Sequence, residues 1–435
     1  MPTESPQYRS LNNPSKVLIG FVIPFVFLFS TSAWGGGTWL YEAGTPDVGT
    51  ANAGRAAHAK DASTAGGNPA GMTRLDRSQL LTAIQPLLVR VKFNVDKGTT
   101  HSGGGGGDAG DLVPTAGIFY VHNVTQNLKL GITAASYFGL GLDYGNNWAG
   151  RYYVQDVELL TFAINPVVAY RITDWLSVGG GFSIVKSNLL QRVGINNLLP
   201  FLSDGQLKVE DDDLGYGGNL GILVEPREGT RFGLTYRSEV ELDFKDVASR
   251  RGTGPLLNAA TRLSGLAGSR ADMKMIIPQE VMFSGYHDLT DRLAIMGNVG
   301  WQENSEFGKT NVSISSTISR SLTADRNFDD SWHFAIGCQY RIAAPWLYSL
   351  GLAYDTSVVD RADRTPDAPF DRQLRYGTGI QYDWNEDVTL GFAYEYIDAG
   401  DAAINHYKGP LAGRLVGDYK TNEIHVFAFN LIWKF

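Results

Sequence analysis

The sequence predicts an all-β fold: a 14-stranded antiparallel transmembrane β-barrel with an N-terminal hatch, or plug, inside its lumen. Three observations predict it. Apolar and polar residues alternate in segment after segment. Tight polar turns join these segments in pairs, while the connections at the opposite ends are long. The N-terminus has the polar, apolar, small-residue order of an export signal.

Composition agrees with one large all-β unit. The 435 residues include 51 Gly, 20 Tyr, 21 Phe and 9 Trp, and only 19% are charged. Glycine averages about 7% in proteins, and this chain is enriched. Glycine suits tight turns, and aromatic residues suit the girdles of a membrane barrel. The mean hydropathy of -0.14 is too polar for a helical membrane protein. It fits a barrel, where half of each strand faces a polar lumen. The net charge of -8 argues against nucleic acid as a partner. The single cysteine, Cys338, forms no intrachain disulfide and reads as a buried or lipid-facing thiol.

Residues 1–16 are polar and carry Arg9 and Lys16. The apolar run Val17 to Phe29 follows, interrupted by Pro24. It is too short to cross a bilayer core of about 30 Å as a helix. Ser30, Thr31, Ser32 and Ala33 come next, so residues 1–33 read as a secretory signal peptide cleaved after Ala33. A retained anchor is the alternative. No later stretch reaches the roughly 18 apolar residues of a helical span.

The body, residues 78–435, alternates with period two. Val388, Leu390, Phe392, Tyr394 and Tyr396 oppose Thr389, Gly391, Ala393 and Glu395. Trp332, Phe334, Ile336, Cys338 and Tyr340 oppose His333, Ala335, Gly337, Gln339 and Arg341. The bulky face has aromatics at its ends and aliphatics between, the pattern of a strand crossing both interfaces. Six tight turns are expected at 123–127, 173–174, 226–229, 288–291, 343–345 and 383–387. They make twelve strands in hairpins. One strand precedes them near 78–94 and one follows near 421–435, giving fourteen. Long external connections are expected at 187–210, 246–270, 307–329 and 399–418, and 101–112 with its five glycines as a flexible loop. The chain ends in alternating hydrophobics and Phe435, similar to the signature that outer-membrane barrels present to the barrel-assembly machinery. The expected location is the outer membrane of a Gram-negative bacterium, in contact with lipid and lipopolysaccharide.

Residues 34–77 do not alternate. They are dominated by Gly and Ala, including Gly44, Gly49, Gly54, Ala56, Ala57, Ala62 and Gly71. Eight strands fill a barrel with their own side chains, whereas sixteen to eighteen leave a channel. Fourteen leave a hole unless something occupies it. A small-residue segment ahead of the first strand suits that role, because small residues allow close backbone approach.

The stretch from Gly44 through Gly54, Asp61 and Thr64, followed by Asn68-Pro69-Ala70-Gly71-Met72, resembles the hatch of the FadL/TodX family of outer-membrane transporters. The Asn-Pro-Ala triplet is the sharpest element. The resemblance implies a monomeric passive transporter or channel for hydrophobic compounds, most plainly long-chain fatty acids, with aromatic or alkane hydrocarbons as the alternative. It implies hatch gating, for which Gly54, Asp61, Asn68, Pro69 and Ala70 are the candidates. It also implies a ligand groove among the external loops, and lateral release through a gap at a kinked third strand. That strand is counted as Leu128–Phe138, with Gly131 as the candidate kink.

Burying a CH₂ gains about 0.8 kcal/mol, so a sixteen-carbon chain gains roughly 12 kcal/mol on leaving water. An apolar path with a side exit serves such a cargo better than an aqueous pore. The inward face of the last strand agrees, reading Ile424, Val426, Ala428, Asn430 and Ile432. Among isolated inward charges, Arg237, His333 and Arg375 are candidates for a ligand carboxylate, as Val426 is for its chain. The alternative is that inward charges such as Arg237, His333, Arg341, Arg375 and Glu395 pair with each other or with the hatch.

Other chemistry finds little support. No catalytic residue, metal or cofactor is expected. Asp211-Asp212-Asp213 reads as a solvated loop before it reads as a cation site, and His58 as a packed or solvated histidine. No G-x-S-x-G motif supports a barrel lipase. A general porin is the stronger rival, but it would be expected to lack the Gly/Ala hatch and to have a more charged lumen.

Overall fold

The computed structural model describes residues 43–136, 139–199, 201–245, 247–264, 269–315, 320–369 and 371–435. The expected signal peptide, 1–33, and residues 34–42 of the expected hatch lie outside the described residues. The barrel strands are β1 (Gln79–Val95), β2 (Leu112–Asn123), β3 (Leu128–Ala135, resuming at Gly139–Asp143), β4 (Asp156–Thr173), β5 (Leu176–Ile195), β6 (Gly205–Arg227) and β7 (Thr230–Arg237). They continue as β8 (Glu280–Asp288), β9 (Leu293–Gln302), β10 (Ser331–Ala343), β11 (Trp346–Asp355), β12 (Gln373–Asp383), β13 (Val388–Asp398) and β14 (Arg414–Lys434). Each pairs antiparallel with the next, and β14 pairs with β1 from Gln79↔Lys434 upward. The sheet therefore closes into a fourteen-stranded barrel without edges.

The alternation read from sequence is the alternation of the wall. Along β4, Leu159, Ala163, Val167 and Ala169 are buried inward, while Leu160, Phe162, Ile164, Val168 and Tyr170 are exposed outward. Exposed aromatics such as Trp332, Tyr340, Trp346, Tyr354 and Trp433 stand near strand ends, where a ring meets both lipid and water. Cys338 alternates with inward Gly337 and Gln339, so it faces lipid. All six expected turns join strands at one end of the barrel, and Gln79 and Lys434 lie at the same end.

At the opposite end the structure corrects the expected loops. β5 and β6 run far beyond the bilayer belt, leaving only 196–204 between them. Strands Val240–Phe244, Arg270–Ile277, Lys309–Ser315 and Arg320–Asp325 form a separate four-stranded sheet that extends β7 to β10 outward. A helix, Pro255–Leu263, lies within one connection. Asp211–Asp213 is not a loop but part of β6, paired with Ser187–Leu189. Asp212 pairs outward with Lys186, and the Asp211 and Asp213 carboxylates accept the Lys245 and Asp243 amides at 2.7 Å each. Among the described residues no group of His, Cys, Asp and Glu is arranged to hold a metal. The glycine-rich loop is tied down, with Ala149 N–H donating to the Gly104 carbonyl at 3.0 Å.

The third strand is interrupted, but not at Gly131. Gly131 is regularly paired with Val121 on β2 and Val167 on β4. The β2/β3 ladder instead stops at Gly117↔Ala135. Beyond it, among the described residues, Gly139–Asp143 pairs with β4, and Leu112, Val113 and Ala116 pair with β1 alone.

A lipid-facing charge tests the inside–outside assignment. Ile336, mid-strand in β10, is 67% exposed. Replacing Ile336 with Arg is expected to cost about 2–4 kcal/mol, measured by urea unfolding in lipid vesicles. A change near zero would place this face in water.

Candidate functional site

The N-terminal segment from Ala43 to Leu75 is almost wholly buried and touches inward-facing residues of most of the wall. Its chain makes tight turns. Pro46–Thr50 is a 3-10 turn, and Ala51 and Asn52 at positive φ (49° and 61°) reverse the direction. Thr64–Gly67 and Pro69–Arg74 are two further short helical turns. With so many Ala and Gly, the segment presents mostly backbone to the wall.

The wall answers with glycine at inward positions. A Cβ added at Gly351 (β11) would lie 1.8 Å from the Thr50 carbonyl oxygen. At Gly377 (β12) it would lie 2.5 Å from the Ala51 nitrogen, and at Gly233 (β7) 1.8 Å from the Ala56 oxygen. At Gly179 (β5) it would lie 2.6 Å from the Ala70 nitrogen and 2.7 Å from the Pro69 carbonyl carbon. Gly337, Gly351 and Gly377 are direct cross-strand neighbours, so three adjacent strands form one bare seat. Gly131 has the same role on β3, where an added Cβ would be 2.7 Å from Met72 Sδ.

Asn68 joins the two halves of the segment to the wall. Its Oδ1 accepts the Ala70 amide at 3.1 Å, while Nδ2 donates to the carbonyls of Ala56 at 2.6 Å and Ile222 at 3.0 Å. Only a side chain with both an acceptor and two donors makes this set. Pro69 keeps Asn68 extended (φ -146°, ψ 104°), which aims its side chain across the turn. Gly54, at φ 77°, donates its N–H to Asn298 Oδ1 at 2.5 Å. Asp61 is buried and accepts the Ser63 amide at 2.9 Å.

Further fasteners come from residues that were not singled out in the sequence. Arg231 donates to the Ala57 carbonyl at 2.9 Å and the His58 carbonyl at 3.0 Å. Ser284 Oγ accepts the Ala56 amide at 3.0 Å. The signal that identifies the glycine seat is present in the sequence, as glycine recurring on the inward face of neighbouring strands. It becomes readable only once the pairing register is known. His58 is packed, with Nε2 at 3.0 Å from Gln339 Oε1.

The inward charges find partners inside the protein. His333 Nδ1 lies 2.5 Å from Asp355 Oδ1, and Arg375 Nε donates to Asp355 Oδ2 at 2.7 Å. Arg375 also approaches Glu395 at 3.8 Å and bonds Gln373 Oε1 at 3.0 Å. Arg237 pairs with Glu280 at 3.2 Å and donates to the Gly66 carbonyl at 3.2 Å. Arg341 pairs with Asp383 at 3.0 Å. Val426 is part of an apolar cluster with Val48 of the segment, Leu87 and Ile397. The largest buried apolar cluster lies between barrel and external elements, around Phe93, Tyr144, Trp148, Leu159, Leu189 and Tyr419. There Tyr144 stacks on Trp148 at 4.2 Å and meets the Tyr419 hydroxyl at 2.7 Å.

A closed barrel whose bore is filled by a small-residue segment, beneath an apolar cluster and beside a ladder break, matches one known architecture. Residues 26–435 match the family described as "Outer membrane protein transport protein (OMPP1/FadL/TodX)". The chain belongs to the OMPP1/FadL/TodX family. It is 28% identical to a long-chain fatty acid transport protein of Escherichia coli O6:H1, over 89% of this chain and 92% of that protein. It is 27% identical to outer membrane protein P1 of Haemophilus influenzae, over 82% and 85%. Among solved structures it resembles a Pseudomonas aeruginosa FadL homologue, with TM-score 0.80 and 21% identity over 90% of this chain and 98% of that one. It also resembles the monoaromatic hydrocarbon channel CymD, with TM-score 0.64 and 16% identity over 91% and 98%. The protein is thus an outer-membrane β-barrel of a family of fatty-acid and hydrocarbon transporters.

The seat has a direct test. In Gly351→Ala the new methyl group collides with the Thr50 carbonyl, so the segment must shift while the wall remains intact. The barrel is expected to keep its heat-modifiable gel mobility, while trypsin gains access to Arg55. Continued protection of Arg55 would show that the wall does not hold the segment this tightly.

Proposed function

We propose that the protein is a passive transporter of hydrophobic compounds, long-chain fatty acids first, gated by residues 34–77 as a hatch and releasing its cargo sideways. One observation carries this reading: the N-terminal segment abuts the wall at the interrupted ladder. The ladder ends at Gly117↔Ala135, and a Cβ at Gly117 would be 2.5 Å from the Ala43 oxygen. Met72 and Ala65 cluster with Phe119 and Ala135 at the same place. A shift of the hatch therefore changes the wall beside the break. An apolar molecule held above the hatch then has a route into the bilayer that never crosses bulk water.

In this reading Gly54, Asp61, Asn68, Pro69 and Ala70 hold the closed state. Arg237 links hatch to wall through Gly66, so hatch movement is the event that redirects it toward a carboxylate head group. His333 and Arg375, locked with Asp355, shape the lumen wall, and Val426 offers its apolar surface where Val48 now sits. The relatives named for long-chain fatty acid transport favour that cargo, and the fold shared with hydrocarbon channels makes an aromatic hydrocarbon the second reading.

Purified protein in liposomes is expected to bind labelled oleate and to leak sugars slowly. Fast sugar flux without oleate binding would indicate a porin, and retention of toluene in preference to oleate would indicate a hydrocarbon channel. Asn68→Ala removes the side-chain donor to the Ala56 and Ile222 carbonyls and takes the acceptor from the buried Ala70 amide, at about 1–3 kcal/mol. Oleate uptake by cells carrying this variant is expected to fall severalfold while barrel yield is unchanged. Uptake equal to wild type would remove Asn68 from the gate.

A further inference from the structure

The bore is electrically layered below the N-terminal segment. Inward positions near the turn end of the wall carry Lys129 (β3), Arg171 (β4), Arg231 (β7), Arg341 (β10) and Lys434 (β14), and the segment adds Lys60 and Arg74 together with the buried carboxyl of Asp61. The wall carboxylates facing this space are Glu225, Asp288 and Asp383. Two are taken up, since Arg74 pairs with Glu225 and Arg341 with Asp383. Asp288 accepts the Tyr286 hydroxyl at 2.7 Å. Lys60, Lys129, Arg171, Arg231 and Lys434 have no carboxylate within salt-bridge distance among the described residues. Most other acids of this end sit outside, on the turns and the rim, as Asp76, Asp174, Glu228, Asp291, Glu386 and Asp387.

Three of these cations, Arg231, Arg171 and Lys60, are held by neutral groups. Arg231 is 2% exposed, bonds two carbonyls of the segment and lies 3.7 Å from the centre of the Tyr286 ring. Arg171 bonds the Thr73 carbonyl, and Lys60 bonds Gln339 Oε1 at 3.2 Å. Carbonyls and rings return only part of the lost hydration of a cation. A concave site with low-dielectric walls then focuses the remaining positive field.

This field has an opening. A polar cleft of ≈ 390 Å³ lies on the seam between segment and wall, lined by four cations, Lys60, Arg74, Arg77 and Lys434, and by two acids, Asp76 and Glu386. Arg77 is engaged by Asp387 at 2.6 Å. Lys60 comes from the segment and Lys434 from the last strand, so an occupant of the cleft touches both moving and fixed parts.

We propose that this cleft is an oxyanion site, taking a carboxylate or phosphate between Lys60 and Lys434 and so bridging the segment to the wall from the periplasmic side. Such an anion has two sources, the carboxylate of an amphiphilic cargo or inorganic phosphate from the periplasm. Binding itself does not depend on the segment moving, so the site stands or falls separately from the transport reading.

The test uses full-length protein in a neutral detergent at low salt, titrated with inorganic phosphate by equilibrium dialysis. Saturable binding is expected, weakening as NaCl is raised, and weakening at least tenfold in a Lys60→Gln/Lys434→Gln double variant that keeps its heat-modifiable mobility. Lys60→Gln alone serves if the double variant does not fold. No saturable phosphate binding to wild type, or binding undiminished in the variants, overturns the proposal. Laurate below its micellar concentration distinguishes the sources: competition with phosphate, not matched by dodecanol, assigns the site to the cargo head group. Phosphate binding that laurate leaves unchanged assigns it to a periplasmic anion.

Discussion

A sheet closed from fourteen strands encloses more space than its own inward side chains fill. Everything else in this protein answers that constraint. The filler must be compact, must satisfy its own backbone groups, and must lie against a wall whose hydrogen bonds are already committed. The chain meets all three with short helical turns, side-chain donors and acceptors from Asn68, Asn298, Ser284 and Arg231, and glycine wherever backbone meets backbone. The contact between Thr50 and the row Gly337, Gly351 and Gly377 is the clearest instance. It is tight because the wall carries no Cβ there, and a seat of that kind selects one position for the segment.

The same constraint explains which parts of the fold were legible in the sequence. Turns and alternation are local, so Asp288-Leu289-Thr290-Asp291 or the run from Val388 to Tyr396 shows itself without knowledge of any partner. The glycine seat is a relation between strands far apart in sequence and needs the register. Gly131 was a candidate kink in the sequence because a strand glycine has two explanations, backbone bending or close approach, and the nearby Met72 favours close approach. The external sheet was missed for another reason. Beyond the bilayer an outward residue no longer needs to be apolar, so Lys208, Glu210 and Asp212 alternate with Leu207 and Val209 and read as a charged loop.

Electrostatics divides the lumen by depth. Near the external end, His333, Asp355, Arg375 and Glu395 are nearly inaccessible to solvent and close on one another. Separating such a group leaves uncompensated charge in an apolar setting, which costs several kcal/mol. These residues are therefore suited to fixing the shape of the wall. At the end that carries the short turns the charges are less matched, with Lys129 and Arg231 buried without a carboxylate within salt-bridge distance among the described residues. The five inward charges read in the sequence all find a counter-charge, whereas the cations without one, such as Lys129 and Arg231, were not singled out there.

Transport of an apolar cargo asks for a small motion with a large consequence. A sixteen-carbon chain resists entry into water by roughly 12 kcal/mol, so the wall need not provide an aqueous opening, only an apolar gap. The interrupted ladder already lacks backbone pairing above Gly117↔Ala135. Among the described residues no β2–β3 ladder bond spans that place, and what lies against it from inside is the end of the segment near Ala43 together with Ala65 and Met72. On the far side of the barrel the same segment rests on the bare seat of β10 to β12. A body touching a rigid seat at one side and an unpaired gap at the other converts a slight loss of seating into a change at the gap. In the transport reading proposed above, the segment rather than the strands is the part whose movement decides whether the wall is open.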